Sequence, residues 1–271
     1  SCTPARAAVL TGQSPWSHGM LGYARVAPRY PHELPRLMDA AGYYPWAIGK
    51  NHFHPQRNLH GYRGAELDES GRVESKDFIS DYRQWFRAEA PELDPDATGV
   101  GWNDYPARAY ALDERLHPTR WTGDRAVAFL EAYDRDQPFF LKVSFARPHS
   151  PYDPPLRLLD AVDPEDVPVA AVGAWSEAAH GGFHEPDKWS SARNKLGPEV
   201  TGASRRAYAA SVAFVDEQVG RILEALEQRG FLDHTVILFT SDHGDMLGDH
   251  NLWRKTYAYE GSAGIPMLLS W

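Results

Sequence analysis

The chain of 271 residues contains one cysteine, so no intrachain disulfide can brace it. That lone thiol is structural filler, a metal ligand, a nucleophile or the precursor of another group. A basic excess is also missing: 28 Lys and Arg face 37 Asp and Glu, a formal net charge of -9. This balance argues against nucleic acid or an anionic membrane as the main partner, because nothing in it neutralises phosphates in bulk. Any anionic substrate must be caught by a local cluster of cations. No apolar run approaches the length of a membrane-spanning helix. Internal repeats and low-complexity tracts are absent too. What remains is 42% hydrophobic and 24% charged, the balance of a globular protein with one substantial core.

Helical and strand-like segments alternate along the chain. "HELPRLMDAAG" (32–42) and "TGDRAVAFLEAYDRD" (122–136) read as helices, and 204–230 is the clearest helix, with apolar residues three and four apart and a closing glycine. "YYPWAIG" (43–49) and "PFFLKVSFA" (138–146) read as strands, "HTVILFTSD" (234–242) as a fully buried central strand, and 264–271 as a further strand. The alternation predicts an α/β layered fold with a mostly parallel sheet. Two long stretches, 54–118 and 147–200, carry Pro, Gly, Asp, Arg and Trp without clear periodicity and are expected to wall a pocket.

The cysteine stands in "SCTPARAAVLTGQSP". Thr3 followed by Pro4 reads as a cap and a first-turn proline, which puts Cys2 at the mouth of a helix N-terminus, where backbone N–H groups favour an anion. Arg6, in the first turn, can reach back toward whatever Cys2 holds. On its own, such a pair is more often a buried thiol beside a surface arginine.

The full string resembles the signature of the sulfatase family: Cys2, Pro4 and Arg6 fit Cys-x-Pro-x-Arg, and "LTGQSP" (10–15) fits the Leu-Thr-Gly-x-x-Pro that follows. The resemblance implies an alkaline phosphatase-like layered fold with helices flanking the sheet. It also implies that a formylglycine-generating enzyme oxidises Cys2 to formylglycine, whose gem-diol attacks sulfur and then expels sulfate by collapsing to the aldehyde. Three further segments extend it. "IGKNHFHP" (48–55) is similar to the family's Gly-Lys-x-His element, implying Lys50 on a sulfate oxygen and His52 as the base for sulfate release, with His54 a near competitor. "SFARPHSPYDPP" (144–155) implies His149 at the ester oxygen, helping the leaving group depart. "FTSDHGDMLGDHNLWRK" (239–255) implies Asp242 and His243, with the modified Cys2, as ligands of a divalent cation, and Lys255 between sulfate and leaving group. Calcium is the expected ion, and His243 leaves room for manganese or zinc. Asp245, Asp249 and His250 are assigned to supporting or turn-forming duty.

The four segments follow the family's order from residue 2 to residue 255. The family's aspartate-bearing strand before the cysteine, and its smaller C-terminal subdomain, fall outside the chain, which is expected to be the central part of one catalytic domain. The implied reaction is hydrolysis of an aryl sulfate or sulfated carbohydrate. Two rivals remain: a phosphonate monoester or phosphodiester hydrolase of the same superfamily, and a non-catalytic binder of sulfated glycans. Trp85, Trp102, Trp121, Trp175 and Trp189 are candidates to stack on sugar rings, and Arg57, Arg63, Arg108 and Arg120 to meet a second acid. A periplasmic or secreted location rests on the resemblance alone.

Overall fold

Apolar, aromatic-rich runs supply the strands, and alternation along them decides which helices cover each face. The computed structural model describes residues 1–72, 76, 78–180 and 190–271. Its strands are β1 (Tyr44–Gly49), β2 (Gly64–Leu67), β3 (Phe139–Ser144), β4 (Ile237–Thr240) and β5 (Met267–Ser270). Its helices are α1 (Cys2–Thr11), α2 (Pro15–His18), α3 (Leu34–Ala40), α4 (Asp81–Glu89), α5 (Pro118–Ala132), α6 (Leu156–Ala161), α7 (Ser176–His180), α8 (Pro198–Gln228) and α9 (Glu260–Ala263). β1 lies between β2 and β3 and is parallel to both, with Trp46 opposite Gly64 and Leu141.

Successive side chains of a strand point to opposite faces. Trp46 and Phe139 meet Phe129 of α5, and Phe139 and Leu141 join Leu130, Ala225 and Leu226 in the cluster that α5 and α8 build. On the other face Ala47 and Phe140 pack with Ala7 and Leu10 of α1 and with Tyr62. Helices thus cover both faces of a parallel sheet, the α/β layering expected of such strands. No helix among the described residues is long and apolar enough to cross a membrane.

Several boundaries differ from the expectations. α1 takes Ser1, not Thr3, as its N-cap, so Cys2 is the first helical residue. α5 begins at Pro118, four residues before Thr122, because the His117 ring accepts the Thr119 N–H and Pro118 fills the first helical position. α8 likewise starts at Pro198, behind Gly197, rather than at Ser204. The two irregular stretches contain β2, α4, α6 and α7, elements too short for periodicity to reveal. The larger correction concerns β4. It forms as a strand but, among the described residues, pairs antiparallel with β5 alone, and its Leu238 and Phe239 are exposed, so it is not a fully buried central strand there. Its apolar sequence records a capacity for burial that the other described residues do not fill.

Candidate active site

Cys2 and the loops leaving β1, β3 and β4 converge at the carboxyl ends of the strands, where open α/β sheets hold their ligands. At the end of β1, Gly49 turns the chain with φ +86°, and a Cβ there would come within 2.2 Å of the Ser144 carbonyl oxygen. Only glycine allows that approach, which lets the Lys50 N–H donate to Ser144 O at 2.8 Å. Lys50 is buried; burial and the nearby Arg6 and Arg72 pull its ammonium down to about 7. A bound anion would restore its charge. His52 follows in the left-handed region at φ +61°, buried, with neither ring nitrogen hydrogen-bonded among the described residues. Burial holds it at about 4, so it is a neutral base at pH 7.

The loop after β3 is fixed by the Arg147–Asp153 ion pair, buried and bidentate at 2.6 and 2.8 Å. It presents His149, which burial pulls down to about 3. The ring's Nδ1 lies 2.9 Å from Ser150 O, and its Nε2 lies 2.7 Å from Lys255 Nζ. Those partners assign the proton to Nδ1, leaving Nε2 to accept from the Lys255 ammonium. The loop after β4 presents Asp242 and His243. His243 Nδ1 lies 2.7 Å from Gly244 O, and its Nε2 lies 3.1 Å from Cys2 Sγ. Arg6 donates to Asp242 Oδ2 at 2.9 Å, to Lys50 O at 2.7 Å and to Ser144 Oγ at 3.2 Å. It therefore ties the three loops together as well as adding charge.

Cys2 is 1% exposed. Burial opposes ionisation of its thiol, but His149, His243, His52 and the Lys50 charge outweigh it and hold the thiol far below its ordinary range. Asp242 is likewise held low: burial resists, and Arg6, His243 and Lys50 prevail. In a chain of net charge -9, basic side chains gather here: Lys50 acts on Cys2 and is itself near Arg6 and Arg72, and Lys255 is near both Cys2 and Arg72. Cys2, Asp242 and His243 each offer a donor atom within 4.8 Å of the others. Sulfur, oxygen and imidazole nitrogen suit a borderline ion such as zinc or manganese, and replacing the sulfur by oxygen moves the set toward calcium. The donor set present therefore fits a divalent cation.

The remaining sequence candidates divide clearly. Asp245 accepts the Leu247 and Arg254 N–H groups and the Tyr152 hydroxyl, while Asp249 holds Ala171 N and Arg205, and His250 meets Ser176. His54 is half-buried ahead of Pro55. Trp102 stacks on the His149 ring at 6.1 Å and is 38% exposed, whereas Trp121 is buried in the core and cannot meet a sugar. Trp85 packs against that same core cluster, Trp175 lies against His250 and Tyr259, and Trp189 falls outside the described residues. Arg57, Arg63 and Arg120 are paired with Asp81, Asp39 and Asp124. Sequence reasoning missed Arg72, Glu69 and Lys142, which flank the centre without belonging to any motif.

This architecture and placement define an α/β protein of the alkaline phosphatase-like class. Its fold matches that of the phosphonate monoester hydrolase of Agrobacterium radiobacter with a TM-score of 0.77 at 25% identity, covering 99% of this chain and 58% of that one. The chain belongs to the sulfatase family, whose profile, described as Sulfatase, matches residues 1–271. It is 37% identical over 281 residues to an arylsulfatase of Clostridium perfringens (strain 13 / Type A), covering 99% of this chain and 58% of that protein. It is 30% identical over 292 residues to a choline-sulfatase of Rhizobium meliloti (strain 1021), covering 99% and 53%. The chain thus spans just over half the length of these relatives.

Proposed function

We propose that the chain carries the reactive centre of a sulfate monoester hydrolase acting on an aryl sulfate or sulfated carbohydrate, with Cys2 converted to formylglycine. The observation that carries this reading is the convergence of Lys50, His52, His149, His243 and Lys255, from three separate segments, on the side chain at position 2. Arg6, Lys50 and Lys255 would neutralise the sulfate. Cys2, Asp242 and His243 would hold a divalent cation, calcium in the first instance, which would supply further positive charge against the ester oxygens. The hydrated formylglycine would attack sulfur in line with the departing oxygen. The Lys255 ammonium, held on His149 Nε2, would supply the proton that departs with the leaving alcohol, and neutral His52 would take the gem-diol proton as sulfate departs.

The family membership and the 37% identity to an arylsulfatase support sulfate esters over other substrates. The likeness to a phosphonate monoester hydrolase favours one rival, phosphonate monoesters or phosphodiesters on the same centre. Peptide mass spectrometry of residue 2 tests the nucleophile, and an unmodified thiol in protein matured in its native host would remove it. Initial rates on an aryl sulfate and a phosphate diester then decide the substrate, since a strong preference for the diester sinks the sulfate reading. Retention of a sulfated sugar without turnover, in fully modified and metal-loaded protein, would make the chain a binder.

A further inference from the structure

Two ionisable side chains beneath the β1 loop take no part in the chemistry just described. Glu69, two residues past β2, is 1% exposed, and its Oε1 accepts the main-chain N–H of Asn51 and of His52, both at 2.8 Å. Lys142, on β3, donates from Nζ to Asn51 Oδ1 at 2.6 Å, with its ammonium 5.2 Å over the Phe53 ring. Asn51 is therefore gripped by a carboxylate on its main chain and by the buried Lys142 amine on its side chain. It sits between Lys50 and His52.

The grip answers a local difficulty. His52 has φ +61°, a region that side-chain-bearing residues avoid. Two successive N–H groups aimed at one point also form a concavity that calls for a negative charge. A buried carboxylate meets both demands through two charge-assisted hydrogen bonds. Without it, both N–H groups would lose their acceptor, and the loop would relax toward an ordinary backbone conformation. That relaxation would swing Lys50 and His52 together, because both flank the residue being held.

We propose that Glu69 and Lys142, acting through Asn51, are positioning residues that fix the left-handed turn and so aim Lys50 and His52 at position 2. Neither touches the substrate. The kinetic arm of the test rests on the sulfate ester reading, and the spectroscopic arm does not.

Glu69→Ala removes the acceptor, Glu69→Gln keeps the shape and one acceptor oxygen, and Lys142→Met keeps the bulk without the hydrogen bond. Turnover of an aryl sulfate by Glu69→Ala should fall about 10²-fold, the scale of a misplaced catalytic group. KM should rise as well, because Lys50, displaced together with His52, holds the sulfate in the ground state as well as in the transition state. Lys142→Met should lose about tenfold, the scale of one hydrogen bond to a charged group. Histidine-labelled NMR of the same proteins should show the His52 imidazole signals displaced in Glu69→Ala and Lys142→Met and returned toward wild type in Glu69→Gln, with His250 unmoved. A fall in melting temperature alone, with kcat per folded molecule and the His52 signals unchanged, would overturn the proposal. Should Glu69→Ala fail to fold, Glu69→Gln and Lys142→Met decide it by the same readouts. If the wild type turns over no sulfate ester, the functional reading fails, and the His52 signals alone decide the positioning role.

Discussion

Ile48 in β1 is wholly enclosed, whereas Leu238 in β4 is 54% exposed, although both strands are apolar and both run directly into candidate site residues. β1 is flanked by strands on both sides and covered by helices on both faces; β4 has one strand partner among the described residues. The loops beyond them are nonetheless equally well anchored. The β1 loop is held by Glu69 and Lys142, and the β4 loop by the Arg6–Asp242 pair and by Asp245 on the Leu247 and Arg254 N–H groups. Precision at the site therefore comes from bonds within and between the loops. Burial of the supporting strand is a separate matter.

The largest test of this contrast is catalytic. His52→Ala, on the β1 side, should lower sulfate ester turnover at least about 10²-fold, the usual contribution of a positioned proton-transfer group, and Asp242→Asn, on the β4 side, should lower it by about 10²-fold through lost electrostatic stabilisation by the cation it would hold. Only the Asp242 variant should lose its response to calcium added back after chelation, as steady-state rates against metal concentration would reveal. Next comes Asp153→Asn in the loop after β3, which strands Arg147 in the interior. It should cost about 3–5 kcal/mol in urea unfolding. Ile48→Ala should cost about 2–5 kcal/mol, because it opens a cavity in a closed layer.

A graded effect follows from the imidazoles. His52 and His149 sit at about 4 and about 3 in the folded protein, below their ordinary value of 6.5. As pH falls through 6.5 the unfolded chain takes up protons that the folded rings refuse, so stability is full above that pH and declines toward pH 4. Urea midpoints between pH 7 and pH 4 would measure the decline, and a flat profile would contradict it. The smallest effect is Leu238→Ala, expected within about 0.5 kcal/mol of wild type, since an exposed position has little burial to lose. A cost near that of Ile48→Ala would mean that β4 is covered in solution.

Much of the arrangement was legible in the sequence. The residues of "SCTPAR", "IGKNH", "RPHSP" and "SDHG" meet around position 2, and β1, β3 and most of α8 fall where periodicity put them. β4 was misjudged because a run such as "VILFT" has the same hydropathy whether neighbours cover it or not. β2, "GAEL", is four residues long with two large side chains, Glu66 and Leu67, too few to show a pattern. Glu69 and Lys142 escaped for another reason. Their roles depend on contacts 18 and 91 residues away in the chain, and neither sits in a spacing that chemistry would mark.

On the proposed conversion of Cys2 to formylglycine, the enclosure of this side chain would set an order of events during synthesis. A side chain with 1% of its surface open, at the first turn of α1 and ringed by His52, His149 and His243, offers no purchase to another protein's active site. An enzyme that oxidises it must therefore meet residues 1–15 while they are still extended. Folding closes that window, and a chain that folds before it is modified keeps its thiol for life.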